Sequence, residues 1–128
     1  MKLFLTIFSI FLFTSLYSAP TTIRYMRWAN PAEISSTIEL IQIFEKEHPD
    51  IKIKVEFSAW SVYCKKLLIL NASDVAPDIY LMGGVFFKKY AQLGVLLPLD
   101  AYFQKSGINL NDYYQSPFEI YKFNNKQY

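Results

Sequence analysis

A change of hydrophobic period around His48-Pro49-Asp50 constrains this chain more than any other feature. Before it, Ile34, Ile38, Ile41 and Phe44, with Leu40 beside them, recur at helical spacing. After it, Ile51, Ile53, Val55 and Phe57 alternate with Lys52, Lys54 and Glu56, the period of a strand buried on one face. Pro49 marks the boundary, because the residue before a proline is pushed out of the helical region. The upstream end of the helix is equally marked. Asn30 suits the cap, Pro31 the first helical position, and Glu33 lies three residues past the cap. Ile23 to Trp28, "IRYMRW", alternates and reads as a strand. The unit is therefore strand, helix, strand, whose helical crossover makes the two strands parallel. The polar face of the second strand places it at a sheet edge, since central parallel strands are apolar on both faces.

The same alternation continues. Ser58 or Ser61 is positioned to cap a second helix running to about Asn71, with Tyr63, Leu67 and Leu70 inward. "NASDVAPD" reads as a loop. Asp78 to Met82, "DIYLM", is apolar almost throughout and reads as a third, central strand, broken by Gly83-Gly84. Val85 to Leu93 predicts a third helix, with Phe86, Tyr90 and Leu93 inward and Gly94 just past its end. Asp100 is positioned to cap a short amphipathic helix, Ala101 to Lys105, which Gly107 ends. "NDYYQSPFEIYKF" predicts one more helix, interrupted at Pro117, and Asn124-Asn125 a hairpin turn. Strands alternating with helices define an α/β layered sheet.

Lys2 followed by the apolar run Leu3 to Tyr17 and the small residues Ser18 and Ala19 is the layout of a secretory signal peptide over residues 1–18. That leaves residues 19–128 as the folded part, exported to the periplasm. No cysteine follows the run to carry a lipid. The net charge of +2, with Lys and Glu interspersed, gives no electrostatic footprint for nucleic acid. Cys64 is the single cysteine, so no internal disulfide framework exists.

Catalytic constellations do not emerge from the sequence. His48, the one histidine, sits at a helix end where a cation suits the helix dipole. No second histidine, cysteine cluster or phosphate-binding glycine loop is present, so no metal or cofactor is expected. The residues that stand out follow strands: Trp28 and Asn30, then Trp60, then Gly83 and Gly84. Ligands of open parallel sheets bind outside the carboxyl ends of the strands. Aromatic faces stack on sugar rings, and an amide such as that of Asn30 hydrogen-bonds hydroxyls. The alternative is that both tryptophans plug the sheet ends as core.

Three blocks in order, "IELIQIFEKEHPDIKIKVEFSAW", "APDIYLM" and "YAQLGVLLPLD", resemble the N-terminal lobe of family 1 extracellular solute-binding proteins, the sugar receptors of ABC importers. The resemblance covers about Ile23 to Tyr128 and implies a periplasmic-binding-protein-like (type II) lobe, incomplete, of three to four strands with helical crossovers. It further implies a carbohydrate ligand, membrane permease subunits as partners, no catalysis, and a second lobe borne by further polypeptide. Trp28, Asn30, Trp60, Gly83 and Gly84 would line the first lobe's side of the cleft. Two positions depart from the family pattern. "ASDVAPD" lacks a glycine, so Asn71 or Asp74 must take the left-handed turn. Gly83 stands where members often place a polar or acidic residue. Two readings compete with an impaired, truncated receptor: a small secreted α/β hydrolase using Cys64, and one half of a split receptor.

Overall fold

The structure, a computed structural model, describes residues 19–128. The signal-peptide reading of residues 1–18 lies outside them. Strand β1 (Thr21–Trp28), helix α1 (Pro31–Glu47) and strand β2 (Ile51–Ser58) form the first unit. Helix α2 (Trp60–Ala72), strand β3 (Ile79–Tyr80) and helix α3 (Gly84–Gln92) follow. Helices α4 (Asp100–Ser106) and α5 (Gln115–Ile120) and the strands β4 (Lys122–Phe123) and β5 (Lys126–Gln127) complete the described chain. β1 pairs parallel with both β2 and β3, giving the order β2-β1-β3. This is the α/β architecture with helical crossovers that the change of period predicts.

The α1 cap forms as its sequence dictates. Asn30 Oδ1 accepts the Glu33 N–H at 3.0 Å, and the Glu33 carboxylate accepts the Asn30 N–H at 2.7 Å. Two of the helix's orphan donors are thereby satisfied. His48 ends the helix, its N–H donating to the Phe44 carbonyl and its ring 4.5 Å from that of Phe44. The inward stripe is Ile34, Thr37, Ile41 and Phe44, while Ile38 and Leu40, expected in it, are exposed. Thr37 replaces them because its hydroxyl accepts from Arg27 Nη1 at 2.9 Å, which ties the helix to β1.

Residues paired across a parallel ladder point to the same face. Ile23, Tyr25 and Arg27 of β1 therefore face α1 together with Ile53, Val55 and Phe57 of β2. The opposite face carries the core: Met26, Tyr63, Leu67 and Tyr90, with Trp28, Leu70, Tyr80, Met82 and Phe86 packed on it. β2 is an edge strand, as its polar alternation requires. Its exposed edge is blunted by Glu45, which accepts the Ile53 N–H at 2.7 Å and pairs with Lys52 Nζ at 2.9 Å.

Several expectations are corrected. β1 starts at Thr21 rather than Ile23, because the Thr21 N–H reaches the Asp50 carbonyl and extends the ladder. Neither Ser58 nor Ser61 caps α2; Ala59 holds that position with no side-chain bond. β3 is shorter than Asp78–Met82 and is not central: among the described residues it pairs with β1 alone. α3 turns Phe87, Tyr90 and Ala91 inward and leaves Leu93 exposed, a shift of about one residue around the helix. Asp100 lies inside α4 rather than capping it, and its carboxylate accepts the Gln127 N–H. The predicted last helix divides into a 3-10 turn (Leu110–Asp112), α5 and β4, with Pro117 in the first turn of α5. Asp74 (φ 56°) takes the left-handed position after α2, and Asn124 and Asn125 (φ 49° and 59°) make the tight hairpin turn.

Candidate functional site

Trp60 is the first residue of α2, placed where β2 delivers the chain to the carboxyl end of the sheet. Trp28, the last residue of β1, arrives at the same end. Their rings meet edge to face, 4.8 Å apart at 73°. Trp28 also meets Tyr63 at 5.1 Å, and Trp60 meets Phe86 at 5.9 Å. Gly83, at the N-cap of α3, completes the group, because a Cβ there would stand only 3.2 Å from Trp60 Cη2. Glycine at 83 therefore lets the indole lie against the backbone. Between these side chains and Cys64, Leu67, Met82 and Tyr90 only about 10 Å3 of free volume remains.

That tight packing separates the two tryptophans. Trp28 is partly buried between Trp60 and Tyr63 and plugs the sheet end. Trp60 is 47% exposed, so one side packs on the core and the rest faces solvent. The arrangement is an open aromatic surface on a rigid support, the geometry of one wall of a cleft. Stacking on such a ring needs little further ordering of the side chain, which keeps its entropic cost low.

The other expected residues lie differently. Asn30 is exposed and spends its side-chain oxygen on the α1 cap. Gly84 faces the other way: a Cβ on it would come 2.8 Å from Ile120 Cγ2, so its lack of a side chain serves the contact between α3 and α5. The structure thus gathers Trp28, Trp60 and Gly83, and leaves Asn30 and Gly84 outside that cluster.

Sequence reasoning missed the residue that holds the site together. The Tyr63 hydroxyl donates at the β1–β3 seam, 2.6 Å from the Leu81 carbonyl and 3.1 Å from that of Met26. Tyr63 is 1% exposed, and burial pushes its phenol far above the usual tyrosine range. Its inward helical position was legible, but the hydroxyl's partners come from two strands distant in sequence. Cys64 lies in the same nook, where burial raises its thiol above the ordinary value. That shift is opposite to what a thiolate nucleophile needs. Among the described residues, no group of three or more His, Cys, Asp and Glu is placed to hold a metal ion.

A parallel α/β layer thus carries an aromatic cluster at the carboxyl end of its strands, the end at which open parallel sheets bind ligands. The chain belongs to the bacterial extracellular solute-binding protein family, whose sequence profile matches residues 28–128. It is similar to an ABC substrate-binding protein of Listeria monocytogenes solved in complex with cycloalternan, at 31% identity and a TM-score of 0.79 over 85% of this chain. It is similar to an extracellular solute-binding protein family 1 member of Alicyclobacillus acidocaldarius, at 30% identity and 0.76 over 87%. A third similar structure is the sugar-binding protein MalE of Xanthomonas citri, at 28% and 0.77 over 84%. The chain spans 28%, 28% and 27% of the lengths of these three.

Proposed function

We propose that this chain forms part of the first lobe of the extracytoplasmic substrate-binding component of an ABC importer, and that its ligand is a sugar or oligosaccharide. The carrying observation is Trp60, an indole held from behind by Trp28 and Gly83 and open in front. A pyranose ring presents an apolar face of matching size. Trp28 and Gly83 set the angle of that indole. Asn30 and Gly84 belong to the same reading as residues beside the cleft. The names of the Listeria and Xanthomonas relatives, one a complex with cycloalternan and one a sugar-binding protein, support this class of ligand.

The reading includes export. Residues 1–18 act as a signal peptide and the mature protein works in the periplasm. No helix among the described residues is long and apolar enough to cross a membrane. Membrane permease subunits are its transport partners, and the second wall of the cleft comes from further polypeptide. On its own the chain offers one wall, so its affinity for sugar is weak, with Kd above about 1 mM.

Titrating the protein with linear and cyclic oligosaccharides, followed by tryptophan fluorescence, tests this. Millimolar quenching that disappears in Trp60→Ala is expected. Micromolar affinity in the chain alone would refute the one-wall reading. Absence of any response to every glycan at tens of millimolar would refute the carbohydrate reading.

A further inference from the structure

The ladder register sets two cations opposite one another on the core-side face of the sheet. Arg24 of β1 and Lys54 of β2 are paired residues, so both side chains leave from the face that carries Met26. Like charges directly opposite each other on a sheet repel and weaken it. Among the described residues neither cation has an ion-pair partner: Lys52 pairs with Glu45, Lys66 with Glu56 and Lys122 with Glu119. Asp78 is close by, but its carboxylate accepts the Arg24 main-chain N–H, at 2.7 Å.

The Arg24 guanidinium is held in place. Its Nη1 donates to the carbonyls of Val75 and Ala76, at 3.2 and 3.1 Å, on the loop that leads into β3. β3 lies on the side of β1 away from β2, so the guanidinium leans away from Lys54. A cavity of about 190 Å3 is lined by both cations, with residues 24–26 and 54–56 as its floor and Leu70 and Pro77 as its walls. Glu56, the one carboxylate of the lining, is neutralised by Lys66. The loop carbonyls occupy Nη1 alone, which leaves the Arg24 Nε and Nη2 donors and the Lys54 ammonium to spare. The cavity is remote from the Trp60 surface. Trp60 opens α2 and Leu70 lies ten residues along it, about 15 Å of helix.

Two cations without counter-charges, one of them fixed, around a walled cavity call for an anion with several acceptor oxygens. The donors come from two strands and face one another, an arrangement that a tetrahedral group meets better than a planar carboxylate. Guanidinium takes phosphate through paired N–H bonds, and an ammonium adds a point charge. We propose that the cavity between Arg24 and Lys54 binds a phosphate group, as the free ion or as the headgroup of an anionic phospholipid. Binding relieves the repulsion across the ladder and so stabilises the sheet. The site stands apart from the carbohydrate reading and from the second wall of the cleft.

Thermal unfolding of the full chain tests it, with inorganic phosphate against chloride at one pH and one ionic strength. About 10 mM phosphate should raise Tm by about 5 °C over chloride, and the Lys54 amide and Arg24 Nε–H resonances should shift. Lys54→Gln abolishes the rise and, with the repulsion gone, melts higher than the parent in chloride. Lys88→Gln, at an exposed lysine of α3, leaves the rise intact. Arg24→Gln abolishes it too; should that variant fail to fold because the loop carbonyls lose their donor, Lys54→Gln decides alone. Equal Tm in phosphate and chloride overturns the proposal, as does a rise that survives Lys54→Gln. Sedimentation with vesicles separates the two sources. Parent that pellets with phosphatidylglycerol but not with phosphatidylcholine vesicles, and Lys54→Gln that pellets with neither, show the headgroup. No pelleting with the phosphate response intact shows the free ion. Vesicle binding that survives Lys54→Gln, without a phosphate response, overturns both.

Discussion

Removing one oxygen from Tyr63 tests how the aromatic wall is supported. Tyr63→Phe keeps the ring against Trp28 and deletes the hydroxyl at the β1–β3 seam. The Met26 carbonyl retains its bond from the Leu81 N–H, so one acceptor loses little. The Leu81 carbonyl loses a 2.6 Å partner at the edge of the core. Leaving one buried acceptor unpaired costs about 1–3 kcal/mol. Taking roughly 1.5 kcal/mol, a domain of this size loses roughly 6–10 °C in Tm. Thermal unfolding followed by far-UV circular dichroism measures this directly. Amide exchange at Leu81 should accelerate together with the fall in Tm, because the seam it belongs to is weakened. A Tyr63→Phe protein melting within about 2 °C of the parent would refute the seam argument. The Trp60 surface would then rest on ring packing alone.

The same structure makes further predictions. Gly84→Ala forces a methyl against Ile120 and should destabilise by about 1–3 kcal/mol despite the better helix former, and Gly84→Ala with Ile120→Ala should recover most of the lost Tm. Asn30→Ala removes the side-chain acceptor of the α1 capping box, keeping only the bond from the residue 30 N–H to Glu33, and should cost about 1 kcal/mol in urea unfolding, with Asn30→Asp close to the parent. Burial raises the phenols of Tyr63, Tyr80 and Tyr90. The unfolded chain therefore releases these protons first: stability is full below the ordinary tyrosine value of 10.0 and falls as pH rises above it. Glu45 behaves oppositely. The Ile53 N–H and then Lys52 lower its carboxyl, so its contribution is present above the ordinary 4.5 and fades as pH falls below it, and Glu45→Gln should flatten that acid limb.

What was legible in the sequence follows from how local each cause is. The α1 start is written in Asn30, Pro31 and Glu33, three residues whose bonds reach no further than each other, and it forms as read. The alternation of Lys52, Lys54 and Glu56 with apolar residues fixed β2 at an edge, and Asn124-Asn125 fixed the hairpin. The failures have distant partners. Ile38 and Leu40 were exposed because Arg27 recruits Thr37 instead. β3 looked central from its apolar composition, but those side chains line a groove rather than a closed sheet. In the site, Trp28, Trp60 and Gly83 were legible as residues that end strands or follow them. The different tasks of Gly83 and Gly84 were not, since one faces Trp60 and the other Ile120, 36 residues away.

The indole N–H resonances of Trp28 and Trp60 give the most direct test of the central claim, that Trp60 presents a sugar-stacking face while Trp28 supports it. In a 15N-labelled titration with maltooligosaccharides and cycloalternan, the account predicts a progressive shift of the Trp60 signal at millimolar sugar, with Trp28 moving far less. Both signals staying fixed with every sugar, or Trp28 responding ahead of Trp60, would contradict it.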